Sequence, residues 1–430
     1  MKVLLRCALL AVCLVVVCFP EGCSVNAQSS TMWQQTYGGA EVDASTSLVQ
    51  TSDGGYALLG FTRSFGEGEA DAWLIKTDEQ GTMQWNKTYG GTKEEGALCL
   101  IQTADGGFAF VGHTESFATE KADDLWTAVS DIWLVKTDEN GNMQWNKTYG
   151  GEKAEYGSCL VQTDDDGFAL TGHSEGELWL IKTDSYGEVE WNQTHGGQES
   201  KSNPYGLIQT LDGGFAFVAG TYPDDDVFVD FLFVKTDEQG NMQWNQTYGG
   251  ERMDYGTSLL QTLDGEFVLA GCTDSFGAGG YDFWLIKTDN SGNALWNQTY
   301  GNENQDTNPS LAQTADGGFA LAGYTHPDLA DLLLVKTDNL GNMEWNQTYQ
   351  GQAVSGLPSL IQTTDGGFAL AGTKGFWSAS TDDFWLIKTD EYGVVPEFPS
   401  WTILPLLVTA TVAAVIWKHK LHKNAKQQAY

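Results

Sequence analysis

The phrase WNKTYGG at residues 85–91 returns, little changed, along most of the chain: Trp33, Trp85, Trp145, Trp191, Trp244, Trp296 and Trp345 each open a copy, on average 52 residues apart. A fixed phrase at that period confines the chain to a repeat architecture, in which each unit buries its apolar surface against its neighbours. Each copy continues as LxQTxDGGFALxG and then DFWLxKTDxxGNMQ. Runs such as SLIQT, FALAG and FWLIK are apolar, of strand length, and bounded by turn residues. The Asp-Gly between QT and FAL predicts a two-residue hairpin, because Gly accepts positive φ and Asp tolerates it. The D-x-x-G step, as in TDENGN at residues 137–142, predicts a second hairpin. Asp138, Asn140 and Asn142 alternate like a calcium loop. Across the copies, however, the middle position is also Gln80, Tyr186, Gln239, Ser291, Leu340 and Tyr392. Leu and Tyr are not calcium ligands, so the repeated requirement is the Asp and Gly of a turn.

Spacings fix the topology. From the opening Trp to the Gln of QT the distance is 17 residues in every copy except Trp191 to Gln209, where it is 18, and from the Asp of D-x-x-G to the next Trp it is always 7. The stretch from the Asp-Gly hairpin to DFW varies: 18 residues from Asp53 to Asp71, 26 from Asp105 to Asp131, 12 from Asp165 to Glu177. Insertions therefore collect in one loop type, where such scaffolds vary and bind. Seven copies of four short strands predict an all-β fold, a seven-bladed β-propeller of four-stranded antiparallel blades. The tight turns lie within blades and the segment after TYGG crosses between them. Each blade runs SLIQT innermost, then FALAG, FWLIKT and MQWNQTY outermost. The chain enters on an outer strand and leaves after a third strand, so the N-terminal strand is expected to close the last blade and remove a free sheet edge.

The ends differ from the middle. Residues 1–27 carry Lys2 and Arg6, the apolar run ALLAVCLVVVCF and the small residues VNA, the order of a secretory signal peptide. Cys23 invites a lipoprotein reading, but Pro20, Glu21 and Gly22 precede it instead of an apolar and small triplet. Residues 400–417 form an uncharged 18-residue run followed by KHKLHK, which reads as one C-terminal transmembrane helix with a basic cytoplasmic tail at 418–430. Residues 33–393 form the propeller and 394–399 a Pro-containing linker. Four of the seven cysteines lie in the signal, and Cys99 and Cys159 share one slot of neighbouring copies, so this is no disulfide scaffold. The whole chain has a formal net charge of −35. The body between the ends holds 16 of the 22 basic and 55 of the 57 acidic residues, about −39, which repels nucleic acid and anionic lipid. That charge serves solubility, or else a surface that collects divalent cations such as weakly bound calcium.

Two resemblances follow from these motifs. VPEFPSW at residues 395–401, the single span and the basic residues resemble the PEF-CTERM sorting signal of archaeal surface proteins, which implies export and anchoring at the outside of the cell membrane. DGGFALAG, DFWLIKTD and GNMQW resemble the repeat of bacterial and archaeal cell-surface propellers, and more distantly quinoprotein-type propellers. Some of the surface propellers carry an endoglucanase label, which implies as the alternative a polysaccharide-degrading hydrolase using paired carboxylates.

Chemistry-bearing residues are sparse. Asn-x-Thr occurs at Asn86, Asn146, Asn192, Asn245, Asn297 and Asn346, each on an expected outermost strand. These are candidate N-glycosylation sites, or else a rim packing motif copied by duplication. His113 and His173 fill a slot that elsewhere holds Phe61, Cys272 or Tyr324, which reads as packing and not as a metal or base role. No nucleophile elbow, HExxH, phosphate loop or CxxC occurs, so no catalytic or metal residue and no cofactor is assigned. The irregular insertion after His113 offers Asp123, Asp124 and Trp126 as candidate loop-face binding residues for a sugar or cation. The sequence thus predicts a non-enzymatic surface propeller for recognition or envelope structure. Its expected partners are the membrane and an extracellular glycan or cell-envelope protein.

Overall fold

The structure, a computed structural model, describes residues 32–119, 129–174, 176–195, 204–221, 229–326, 331–350, 358–375 and 382–395. The expected signal peptide, transmembrane helix and tail lie outside these residues, as do Asp123, Asp124 and Trp126. Among the described residues there is no helix.

The strands form seven four-stranded antiparallel sheets, each made of strands consecutive in sequence except the last. In blade 1, β2 (Asp43–Gln50) pairs with β3 (Tyr56–Thr62), β3 with β4 (Asp71–Thr77), and β4 with β5 (Met83–Tyr89). In the seventh blade, β1 (Trp33–Tyr37) pairs with strand Asp383–Lys388, Trp33 opposite Lys388 and Tyr37 opposite Phe384. The ring is therefore closed by the first strand, as the repeat phase requires, and no blade keeps an unpaired outer edge for want of its fourth strand.

Burial explains the strand compositions. The second and third strands of a blade are covered on both faces by neighbouring blades, so YALLGFT and DAWLIKT are almost wholly buried and read as continuous apolar runs. The outermost MQWNKTY alternates, with Met83, Gln84 and Asn86 exposed and Tyr89 buried. Seven apolar clusters fill the seven blade interfaces; the one between blades 1 and 2 joins Leu59 and Leu74 to Phe110 and Trp133. Innermost strands bond to one another around the ring: Thr46 Oγ1 donates to Ala97 O (2.8 Å), and Leu100 N–H donates to Ser47 Oγ (3.1 Å).

The Asp-Gly turn differs in detail from the expected two-residue loop. Gly54 N–H donates to Thr51 O (2.8 Å) and Thr51 N–H to Gly55 O (2.9 Å), so three residues, 52–54, cross between the strands. Gly54 takes φ 87°, the left-handed step that follows a type I turn in a three-residue hairpin. The D-x-x-G step is a turn, as expected: Asp138 Oδ1 accepts from the N–H groups of Asn140 (2.9 Å) and Asn142 (2.8 Å), and Asn142 Nδ2 donates to Oδ2 (2.9 Å).

Candidate functional site

Strand direction separates the two faces of the ring. Asp-Gly and D-x-x-G turns share one face, and the variable loops and the crossing segments share the other.

On the turn face the recurring polar groups are consumed internally. Lys76 is buried; its ammonium donates to both oxygens of Asp53 (3.0 and 2.8 Å), to Thr77 O (2.8 Å) and to Gln84 Oε1 (3.2 Å). Lys136, Lys182, Lys235, Lys336 and Lys388 repeat this lock with Asp105, Asp165, Asp212, Asp316 and Asp365. Burial would raise the Asp53, Asp105, Asp165 and Asp316 carboxyls. The lysine, the turn threonine and the glycine amide outweigh it and hold all four down to about 2. The QT glutamine ties six of the seven turns to the next blade: Ser52 N–H donates to Gln102 Oε1 (2.8 Å) and Ala104 N–H to Gln162 Oε1 (2.9 Å).

The outermost strands answer why WNxTYGG recurs. Tyr89 Oη donates to Gly141 O (2.7 Å), and a Cβ built on Gly141 would meet the Trp85 ring at 2.7 Å. Trp and Tyr of one blade thus grip the D-x-x-G turn of the next, and Tyr37, Tyr149, Tyr248, Tyr300 and Tyr349 do the same. All six sequon asparagines are exposed on outermost strands. Asn86, Asn146 and Asn297 also accept from the indole N–H of Trp73, Trp133 and Trp284, each at 3.2 Å, and Gln34 serves Trp385 in the closing blade. In blade 6, Leu333 stands where those tryptophans stand. A groove of about 430 Å³ runs there along the rim, past Asn346 and Thr348.

The loop face is where the copies differ. At its central mouth Tyr156 stacks on His173 (centroids 5.4 Å apart) and meets His113 edge to face (5.0 Å). Burial drives both imidazoles down to about 4, so they are neutral at pH 7. The expected packing role of the slot fits, although the stack half faces solvent. Below it, a cavity of about 210 Å³ is lined by Thr46, Ser47, Ser158 and Ser258 with Cys99 and Cys159. Cys99 is only half buried, and both thiols reach main-chain oxygens, Leu160 O at 3.7 Å and Pro204 O at 3.9 Å.

Between blades, the loop face holds a feature the sequence reading missed. An acid opens the third strand in every copy, and in five copies a second acid stands six residues after the Tyr of TYGG. These meet across the blade junctions as Asp71 with Glu95, Asp131 with Glu155, Asp230 with Asp254, Asp282 with Asp306, and Asp383 with Asp43. One main-chain bond aligns each pair, such as Glu95 N–H to Ala70 O (2.8 Å) or Asp306 N–H to Tyr281 O (2.6 Å). Glu95 accepts from Thr114 Oγ1 (2.9 Å), Ser116 N–H (2.9 Å) and Gly91 N–H (2.8 Å), and Asp71 Oδ2 accepts from Glu67 N–H (2.6 Å). Burial, reinforced by the facing acid, pushes the Asp71 and Asp282 carboxyls up to about 6. Among the described residues no three His, Cys, Asp or Glu side chains converge as a metal cluster.

No protein-family model matches the chain, and no curated protein matches it in sequence. Solved structures do. A protein of unknown function from Dyadobacter fermentans superposes with a TM-score of 0.50 at 11% identity, over 83% of this chain and 98% of its own. The β-propeller domain of the Trilobed protease from Pyrococcus furiosus gives 0.44 at 11% identity over 85% and 99%. NanB sialidase from Streptococcus pneumoniae gives 0.47 at 9% identity over 76% and 71%. At these identities the likeness shows the fold alone.

Proposed function

We propose that the chain is a non-enzymatic recognition module of the cell surface, exported, anchored by its C-terminal span, and binding a cell-envelope or extracellular glycan through its loop face. The observation that carries this reading is the asymmetry of the two faces. Turn-face polar groups are bonded internally copy after copy, whereas the loops of unequal length and the half-exposed His113, Tyr156 and His173 cluster share the opposite face. Paired carboxylates would be the machinery of the alternative, a hydrolase. The pairs at the junctions recur five times, and their first-strand members are 0–2% exposed, out of reach of a glycosidic oxygen.

The test applies the full-length chain to an array of polysaccharides and to isolated envelope material, followed by an assay for released reducing ends. Binding that weakens in Tyr156→Ala, persists in Asn140→Ala on the turn face and releases no sugar supports recognition. Release of reducing ends from a bound polysaccharide would replace it with the hydrolase reading.

A further inference from the structure

The five acid pairs pose a physical problem. Asp71, Asp131, Asp254 and Asp282 are 2%, 1%, 0% and 1% exposed, and each keeps a buried Oδ1 with no hydrogen-bond partner among the described residues. Among those residues no Lys or Arg is ion-paired to Asp71, Glu95, Asp254 or Asp282. A buried carboxylate oxygen facing a second carboxylate, with neither proton donor nor counter-charge, is strongly disfavoured.

At four junctions the third-strand Oδ1 and one oxygen of the facing first-strand acid converge on one spot. A Cβ built on Gly90 would lie 1.7 Å from Asp71 Oδ1 and 2.6 Å from Glu95 Oε2; on Gly301, 1.8 Å from Asp282 Oδ1 and 2.6 Å from Asp306 Oδ2. On Gly150 it would lie 2.3 Å from Asp131 Oδ1 and 2.8 Å from Glu155 Oε2, and on Gly249, 2.2 Å from Asp230 Oδ1 and 3.1 Å from Asp254 Oδ2. The first glycine of TYGG is thus kept free of a side chain by two carboxylates aimed at the same place. Two copies lack the second acid: the one opened by Trp345 has Gln350 in place of the glycine and no acid through residue 358, whereas the one opened by Trp191 keeps Gly196 with Lys201 at the acid position.

We infer that four of these junctions, Asp71–Glu95, Asp131–Glu155, Asp230–Asp254 and Asp282–Asp306, are binding sites for calcium, each ion bridging the third strand of one blade to the first strand of the next on the loop face. Oxygen-only donors and a charge of −2 per site suit a hard divalent cation, and calcium's mixed shell of six to eight oxygens admits main-chain carbonyls and water beside the two carboxylates. With two acids per site the expected affinity is that of extracellular modules, about 10⁻⁴–10⁻³ M. A proton shared within the pair is the competing solution. The inference stands apart from the recognition reading, since the sites lie within the ring whatever the loops bind.

The test uses the full-length chain, freed of metal by chelating resin at pH 7.5 and dialysed against millimolar calcium in 0.15 M KCl. Bound calcium is then counted by mass spectrometry, and thermal unfolding is followed with and without the ion. The wild type should bind several equivalents that magnesium displaces poorly, and calcium should raise its Tm by several degrees. D71N and G90A should each bind about one equivalent fewer, while E79Q, an exposed turn-face control, should bind the wild-type number. D71N should also unfold at higher temperature than the wild type when calcium is withheld. Unchanged stoichiometry in both junction variants overturns the proposal. So does a wild type whose Tm ignores calcium at pH 7.5 but rises on acidification to pH 5, the signature of a shared proton.

Discussion

The lysine lock makes a quantitative prediction, because its two partners differ sharply in burial. Lys136 has 7% of its side chain exposed and Asp105 has 55%. In Lys136→Met the stem still fills its space and Asp105 remains half in water, still accepting from Thr103 Oγ1 (2.5 Å) and Gly107 N–H (3.0 Å). What is lost is charge-assisted bonding to Thr137 O and Gln144 Oε1, a cost of about 1–3 kcal/mol. In Asp105→Asn the turn keeps an acceptor, but a buried ammonium faces a neutral amide. Removing one partner of a buried pair costs about 3–5 kcal/mol. Two surviving acceptors place this case near 3 kcal/mol, or about 6 °C in Tm at roughly 2 °C per kcal/mol. The prediction is therefore an order: removing the exposed acid harms the protein more than removing the buried base. Blade 5 supplies the internal control. Glu266 replaces the second glycine of the turn, Lys287 turns to it (2.7 Å), and Asp264→Asn at that exposed carboxyl should leave the unfolding midpoint unchanged. Urea and thermal unfolding of the three variants measure this, and K136M as destabilising as D105N would refute the reasoning.

Four further outcomes follow. Tyr89→Phe leaves Gly141 O without its donor and should cost about 1–2 kcal/mol, read by urea midpoint. Deleting residues 33–37 uncovers strand Asp383–Lys388 as a free edge, and size-exclusion chromatography should show self-association absent from the full chain. For the metal-free protein the two acid classes pull in opposite directions with pH. Asp53, Asp105, Asp165 and Asp316, depressed to about 2, stabilise above pH 4, and that stability is lost as pH falls from 4 towards 2. Asp71 and Asp282, raised to about 6, lose stability as pH climbs from 4 to 6, so Tm should fall over that range and calcium should flatten the decline. Mass mapping of protein from its native membranes should find glycan on the exposed Asn-x-Thr peptides and an intact basic tail; bare peptides would leave those asparagines the rim role that Asn86 plays for Trp73.

The fold was legible because period, strand length and turn chemistry agreed. Trp-to-Gln spacing held at 17 residues while one loop varied, which assigned crossings and hairpins correctly. The hairpin at Thr51 was read one residue short, since sequence shows the Asp-Gly pair but not that Ser52 joins the loop when Gly54 goes left-handed. Nothing in the sequence set the lysine of KTD apart, and only the structure buries its ammonium behind the Asp-Gly turn. The acid pairs were hidden for a different reason: Asp71 and Glu95 belong to different copies, so each looked like one of many carboxylates until the junction bond from Glu95 to Ala70 set them face to face. Residues 120–128 and both termini lie outside the described residues, and the readings placed there rest on sequence.

The repeat phrase can now be parsed by which neighbour each letter holds. Gln of QT holds the adjoining blade at the inner turn face, Trp and Tyr hold it at the outer turn face, and the acids with the first glycine meet it on the loop face. Only the third link unites groups that repel. A duplicated unit copies its defects as faithfully as its bonds, so an unpaired buried carboxylate oxygen repeated at four junctions would weaken the ring four times over. Its retention together with a glycine that keeps the spot clear argues that something in the medium completes the junction. On that argument the ring is incomplete in metal-free water: two of its three links close on folding, and the third closes when calcium arrives, directly beneath the loops that vary.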